Sequence, residues 1–129
     1  MVLRYSAAVN DYSALQLSKL DVLGSFDTLK IAIAYKDPET GEEIPSFPAD
    51  HSLLERVVPV YHEMPGWKSS IAGVRHWSDL PKEARDYVEY IENFVGVRVS
   101  RVNRGPGTRT YADSRHRSSG LALAQTAWT

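Results

Sequence analysis

Cysteine is absent from the 129 residues, which excludes disulfides and thiolate chemistry. No stretch approaches the roughly 20 apolar residues that span a bilayer, and the start of the chain lacks the apolar core of a signal peptide. A cytoplasmic location with no membrane partner is therefore expected. Strong charge of either sign is missing too. A net charge of -1 gives no global attraction for nucleic acid or anionic lipid. Arg98, Arg101, Arg104, Arg109, Arg115 and Arg117 do crowd the last third. They lack the run of interleaved aromatics that a stacking surface for RNA requires, so a solvated basic end is the better reading. His51, His62, His76 and His116 show no helical or hairpin spacing with carboxylates, so no metal site is expected among them.

What is present fits one globular domain. Hydrophobic residues make up 43% and charged residues 24%, ordinary values for such a chain. A chain of this length buries about two-thirds of the surface its unfolded form exposes. No internal repeat is visible.

Period-two and period-3.6 patterns divide the chain. Residues 12–20 read as a strand with one buried face, delivering Lys19 and Asp21 to its C-terminal edge, and 21–26 as a short turn or helical stretch. Leu29 to Tyr35 alternates and is partly β-branched, which predicts a strand. Asp37-Pro38-Glu39-Thr40-Gly41-Glu42 has turn chemistry, with Gly41 suited to positive φ, and a hairpin return through Glu43-Ile44-Pro45 follows. Asp50 is placed to cap a helix over 51–56, and Val57 to Glu63 reads as an edge strand. Residues 65–79, with Gly66, Trp67, Gly73 and Trp77, read as an irregular packed loop. Leu80, Ala84, Tyr87, Val88, Ile91, Phe94 and Val95 form the stripe of an amphipathic helix, with Pro81 in its first turn and Gly96 past its end. Val97 to Val102 is the last expected strand, and residues 108–129 read as a divergent, disordered tail. The fold class is α/β or α+β, with a small antiparallel lobe at residues 29–63.

The chemistry-bearing words are Lys19-Leu20-Asp21 and, late in the chain, Asn103-Arg104-Gly105-Pro106. A carboxylate at a strand end can accept two hydrogen bonds, from guanine N1–H and the exocyclic amine, while a lysine stem lies along the purine face. Adenine offers no matching donor pair on that edge. On its own the tripeptide is better read as an exposed strand end, and the Gly-Pro word as a plain strand-ending turn, although such a turn can present backbone groups closely to a flat base. Trp67 reads as a packing anchor and Arg75 as a cap for a neighbouring carbonyl; neither is assigned to a site.

The surroundings of these words resemble one family. Asp11 to Leu23, Phe47-Pro48-Ala49, Pro59-Val60-Tyr61, Met64-Pro65-Gly66-Trp67-Lys68, Ala72-Gly73-Val74-Arg75, Asp79-Leu80-Pro81 and Gly105-Pro106 form a collinear string resembling adenylosuccinate synthetase, over its C-terminal portion. The resemblance implies part of a P-loop-NTPase-like, mostly parallel sheet with a small antiparallel lobe, incomplete as a domain, over residues 1–107. It implies a parent activity that ligates IMP and L-aspartate using GTP and Mg²⁺ towards AMP, in a cytoplasmic homodimer. It also implies a guanine pocket with Lys19, Leu20 and Asp21 as one wall and Asn103, Arg104 and Gly105 as the other. The family's phosphate loop, catalytic residues, metal ligands and aspartate-gripping arginines have no counterpart here, so no catalytic or metal residue is assigned. The isolated chain is expected to be inactive. The alternative is a non-catalytic module that binds a guanine nucleotide or a ligase subunit. Ser18 stands where the family often has Thr, and Gly24 where it usually has Asp.

Overall fold

A computed structural model describes residues 1–44, 46–102 and, for the backbone only, 111–112. The order is α1 (Val2–Asn10), β1 (Leu15–Leu17), a 3₁₀ turn (Leu20–Ser25), β2 (Thr28–Lys36), β3 (Glu43–Ile44), α2 (His51–Arg56), β4 (Val58–Pro65), a second 3₁₀ turn (Trp77–Asp79), α3 (Lys82–Val95), β5 (Val99–Val102) and β6 (Tyr111–Ala112). The fold is mixed α/β with two small sheets. One has the order β1-β5-β6, the other β3-β2-β4.

The antiparallel sheet is built from local connections. Asp37 folds the chain back: its carboxylate accepts from Glu39 N at 2.9 Å and its carbonyl from Gly41 N at 2.8 Å, with Gly41 at φ 73°. β3 then pairs with the end of β2 through Tyr35↔Ile44 and Lys36↔Glu43. β4 runs along the whole of β2, from Thr28↔Pro65 to Lys36↔Val58, with one irregularity at Ala32/Ala34. As expected, β4 is an outer strand, which is why Pro59 costs no ladder bond within the sheet. Asp50 caps α2, accepting from Ser52 N at 2.9 Å and Ser52 Oγ at 2.7 Å. Those hydrogen bonds hold its carboxyl below the usual carboxylate value.

The parallel pair depends on distant contacts. β1 and β5 align as Leu15↔Val99, Gln16↔Arg101 and Leu17↔Val102. Pairing begins one residue before β5, where Arg98 O accepts from Leu15 N at 2.8 Å. Glu92 of α3 reinforces the same strand, its Oε1 accepting from Val99 N at 2.6 Å. α3 lays Ala84 and Val88, both fully buried, on a core that also holds Leu15, Leu20, Leu29, Trp67, Ile71, Trp77, Leu80, Val99 and Val102. Gly96, at φ 78°, ends α3 in the left-handed conformation that favours glycine. Pro81 lies just before α3 rather than in its first turn, and β5 starts two residues later than the pattern predicted.

Two differences from the sequence reading stand out. The strand expected over residues 12–20 spans only Leu15–Leu17. Leu15 and Leu20 are an odd number of positions apart along the chain, so an unbroken strand would point them to opposite faces. Both are buried in one core because Lys19 takes a left-handed φ of 59° and starts the 3₁₀ turn. The second difference is α1, which the pattern did not predict. It is tied down by the Met1 amine donating to Ala32 O at 2.6 Å and by Arg4 lying 5.3 Å from the Phe94 ring centroid. Phe94, Tyr90 and His62 continue that column, stacked nearly parallel. Val2, Leu3, Tyr5 and Val9 of α1, and Tyr12 beyond it, are exposed, with the Tyr5 ring 5.8 Å from that of Phe47. Residues 111–112, within the stretch expected to be a tail, pair with Arg101 and Val102 as β6; the rest of 108–129 lies outside the described residues.

Candidate functional site

Parallel strands leave a sheet on the same side. With Leu17 opposite Val102, the carboxyl ends of β1 and β5 lie at one edge of the small sheet. In open α/β sheets that edge, outside the carboxyl ends of the strands, is where ligands bind. Lys19, Leu20 and Asp21 are the residues that follow β1. Asn103, Arg104 and Gly105 follow β5 directly in sequence but lie outside the described residues.

The three residues after β1 have three different surroundings. Lys19 is exposed, at the start of the 3₁₀ turn, with its stem free to lie along a flat group. Leu20 is 2% exposed and points into the core, where it anchors the turn; what it can offer a ligand is backbone. Asp21 is half-buried, and its Oδ1 is buried with no hydrogen-bond partner. A carboxylate oxygen in that state is costly unless something fills its lone pairs, since an unpaired buried polar atom forfeits its hydration. The unsatisfied acceptor sets Asp21 apart from an ordinary surface charge.

The turn that carries Asp21 is clipped to the loop after β4. Gly66 N donates to Asp27 O at 2.9 Å, and a Cβ at Gly66 would overlap the Phe26 carbonyl, so only glycine fits there. Lys68 Nζ pairs with Asp27 at 2.9 Å. Trp67, as expected, is a packing anchor: it is 5% exposed and meets Tyr87 edge to face with centroids 6.0 Å apart. Burial raises the Tyr87 hydroxyl above its ordinary pKa. Unexpectedly, Trp67 Nε1 is also buried without a partner. The sequence holds no signal for that, because an orphaned indole N–H is a property of packing alone. Arg75 is exposed. Among the described residues no group of three or more histidines and carboxylates is placed to hold a metal ion, and no helix is long and apolar enough to cross a membrane.

Comparison with known proteins agrees in one direction. A family model described as adenylosuccinate synthetase matches residues 1–112. The adenylosuccinate synthetase of Sordaria macrospora is 54% identical over 106 residues, covering 82% of this chain and 25% of that protein. That of Neurospora crassa is 53% identical over the same length, with the same coverage of each. Among solved structures, a fully ligated adenylosuccinate synthetase from Plasmodium falciparum superposes with a TM-score of 0.76 at 28% identity, over 80% of this chain and 25% of that one. The chain thus spans about a quarter of the length of the relatives it matches.

Proposed function

The chain belongs to the adenylosuccinate synthetase family, and from that premise we propose that it carries the guanine-reading side of a GTP-dependent ligase that joins IMP to L-aspartate. On this reading residues 1–107 correspond to the C-terminal portion of the enzyme. Asp21 accepts from guanine N1–H and the exocyclic amine, Lys19 lies along the purine, and Leu20 fixes the turn between them. Asn103, Arg104 and Gly105 form the opposite wall. The observation that carries the proposal is the buried, unpartnered Asp21 Oδ1 at the carboxyl edge of a parallel strand pair.

On the same reading Mg²⁺, IMP and aspartate binding, along with phosphoryl transfer, belong to the remaining three-quarters of a complete synthetase, as do its homodimeric assembly and cytoplasmic location. Positioning and charge neutralisation dominate phosphoryl transfer. A piece without those groups is expected to show no turnover when mixed with IMP, GTP, aspartate and Mg²⁺ and followed by ultraviolet absorbance.

The test of base reading uses the chain itself. In ¹H–¹⁵N spectra, GTP should shift amides around residues 19–21 at millimolar concentration, and ATP should not. Asp21→Asn should weaken GTP by roughly a hundredfold, about 2–3 kcal/mol, because a charge-assisted bidentate contact is lost. Xanthine carries an oxygen where guanine carries the amine, so the same variant should favour XTP. Equal losses for both nucleotides, or unchanged GTP shifts, would show that Asp21 does not read the base.

A further inference from the structure

Helix α1 turns its apolar residues outward. Val2, Tyr5 and Val9 recur at three and four residues, which sets them on one side of the helix. They are 53%, 48% and 64% exposed. Tyr12 extends that side: its hydroxyl shares a 2.9 Å hydrogen bond with Ser6 Oγ, and Ser6 lies one turn on from Val2. A helix whose outer side faces water carries charged residues there. Arg4 is the one charged residue of Val2–Asn10, and its guanidinium is spent on the Phe94 ring. Asn10 and Asp11, both exposed, close the patch with polar groups. A charge-free centre of valine and tyrosine with a polar rim is the make-up of a protein interface.

The patch leads directly into an open strand edge. Asp11 ends α1 at φ 51°, and Leu15 begins β1. With the order β1-β5-β6, the other side of β1 has no partner strand among the described residues. Parallel strands are ordinarily covered by helices on their faces and by further strands at their sides. Residues 2–17 thus form one continuous stretch that lacks cover, helix face first and strand edge second. The Sordaria macrospora and Neurospora crassa relatives show what chain is available to supply it, since the 106 matching residues are 25% of each.

Resting on the reading that the rest of the ligase chemistry belongs to the other three-quarters of a synthetase, we infer that residues 2–17 are the docking surface for that complementary part. The partner is a folded polypeptide of the same family that lays apolar side chains over Val2, Tyr5 and Val9 and a strand beside β1. A second copy of this chain fits less well. A two-fold axis would set β1 antiparallel to itself, whereas the edge on offer is the free side of a parallel pair.

The test is co-expression of the tagged chain with the Neurospora crassa synthetase trimmed of its 106 matching residues. A one-to-one complex should be recovered and survive size exclusion. Val2→Gln combined with Val9→Gln uses a good helix former at exposed places. The isolated chain should therefore keep its melting temperature within about 2 °C, while the complex weakens about tenfold or more because two amides enter its desolvated centre. Val58→Gln, on the lobe and 53% exposed like Val2, should leave the complex unchanged. Three results each overturn the inference: no trimmed synthetase recovered with the wild-type chain, a complex indifferent to the double substitution, or one equally sensitive to Val58→Gln. Self-association of the chain that the double substitution abolishes would give the surface to a second copy, which overturns it too. Base reading is tested separately. Asp21→Asn should leave the complex intact, and GTP-specific amide shifts that persist without any complex would sink the docking surface alone.

Discussion

The antiparallel lobe and the parallel edge of this molecule are built on opposite terms. In the lobe, β2 is paired on both sides, and the turn at residues 37–42 satisfies its own backbone. In the parallel edge, three-residue β1 meets a strand more than eighty residues away, held by a core that α3 completes. Buried side-chain atoms without partners, among the described residues, fall on Asp21, Trp67 and Arg85, all outside the lobe. The unsatisfied polar atoms thus fall in the part of the molecule that distant pieces assemble, where burial is set by long-range packing rather than by local turns.

Substitutions can break or sharpen this contrast. Leu20→Ala, in the turn behind the parallel edge, should cost about 2–5 kcal/mol, as for fully buried leucines. Ile31→Ala at a half-buried place in the lobe should cost nearer 1 kcal/mol. Denaturant midpoints measure both, and equal costs would mean that the lobe is no less demanding than the edge.

Two glycines separate contact from conformation. Gly24→Ala forces a Cβ against the Ser69 carbonyl and should cost about 1–3 kcal/mol. Gly41→Ala meets nothing within 4 Å but sits at φ 73°, so about 1–2 kcal/mol is expected from the backbone alone. Asparagine tolerates the left-handed region, so Gly41→Asn should recover most of the loss and Gly24→Asn none of it. Thermal melts of the four variants would decide; recovery at Gly24 would show that contact is not the cause there.

Acid should weaken the lobe through the α2 cap. The Asp50 carboxyl is held below its ordinary 3.8 by the Ser52 hydrogen bonds. Its contribution is therefore present in full above that value and is lost as pH falls through the lower folded one. Asp50→Ala should remove that portion of the acid dependence, a difference visible as converging melting curves of variant and wild type below pH 4. Curves that stay parallel would leave the cap uncoupled from stability. The smallest effect belongs to Lys30 and Glu63, paired at 2.9 Å across β2 and β4 but more than half exposed. The Glu63 partner raises the Lys30 pKa, yet exposed pairs contribute little and are screened by salt. Glu63→Gln should shift the melting temperature barely at all, and less still in high salt.

Much of this was legible from residue order. The β2 alternation, the Gly41 turn, the Asp50 cap, the α3 stripe with its closing Gly96 and the Lys19-Leu20-Asp21 word are local patterns, and local patterns are what propensity and periodicity report. The same residues also pointed to the family before any coordinates did. Helix α1 was not legible: it is short, lacks a capping side chain and depends on a distant ring and carbonyl for its place. The early end of β1 was missed for a related reason. Only the demand that Leu15 and Leu20 reach one core decides that Lys19 must turn the chain.

Sequence by itself thus determined the family and the hydrogen-bonding sense of each side chain at the carboxyl edge of β1, because donor and acceptor character belongs to the residue. Tertiary structure alone decided that Asp21 keeps an unpaired oxygen, that Trp67 keeps an unpaired N–H, and that Gly24 lies against the loop holding that indole. Burial is a property of what surrounds an atom, and the surroundings of Asp21 come from segments far from it along the chain.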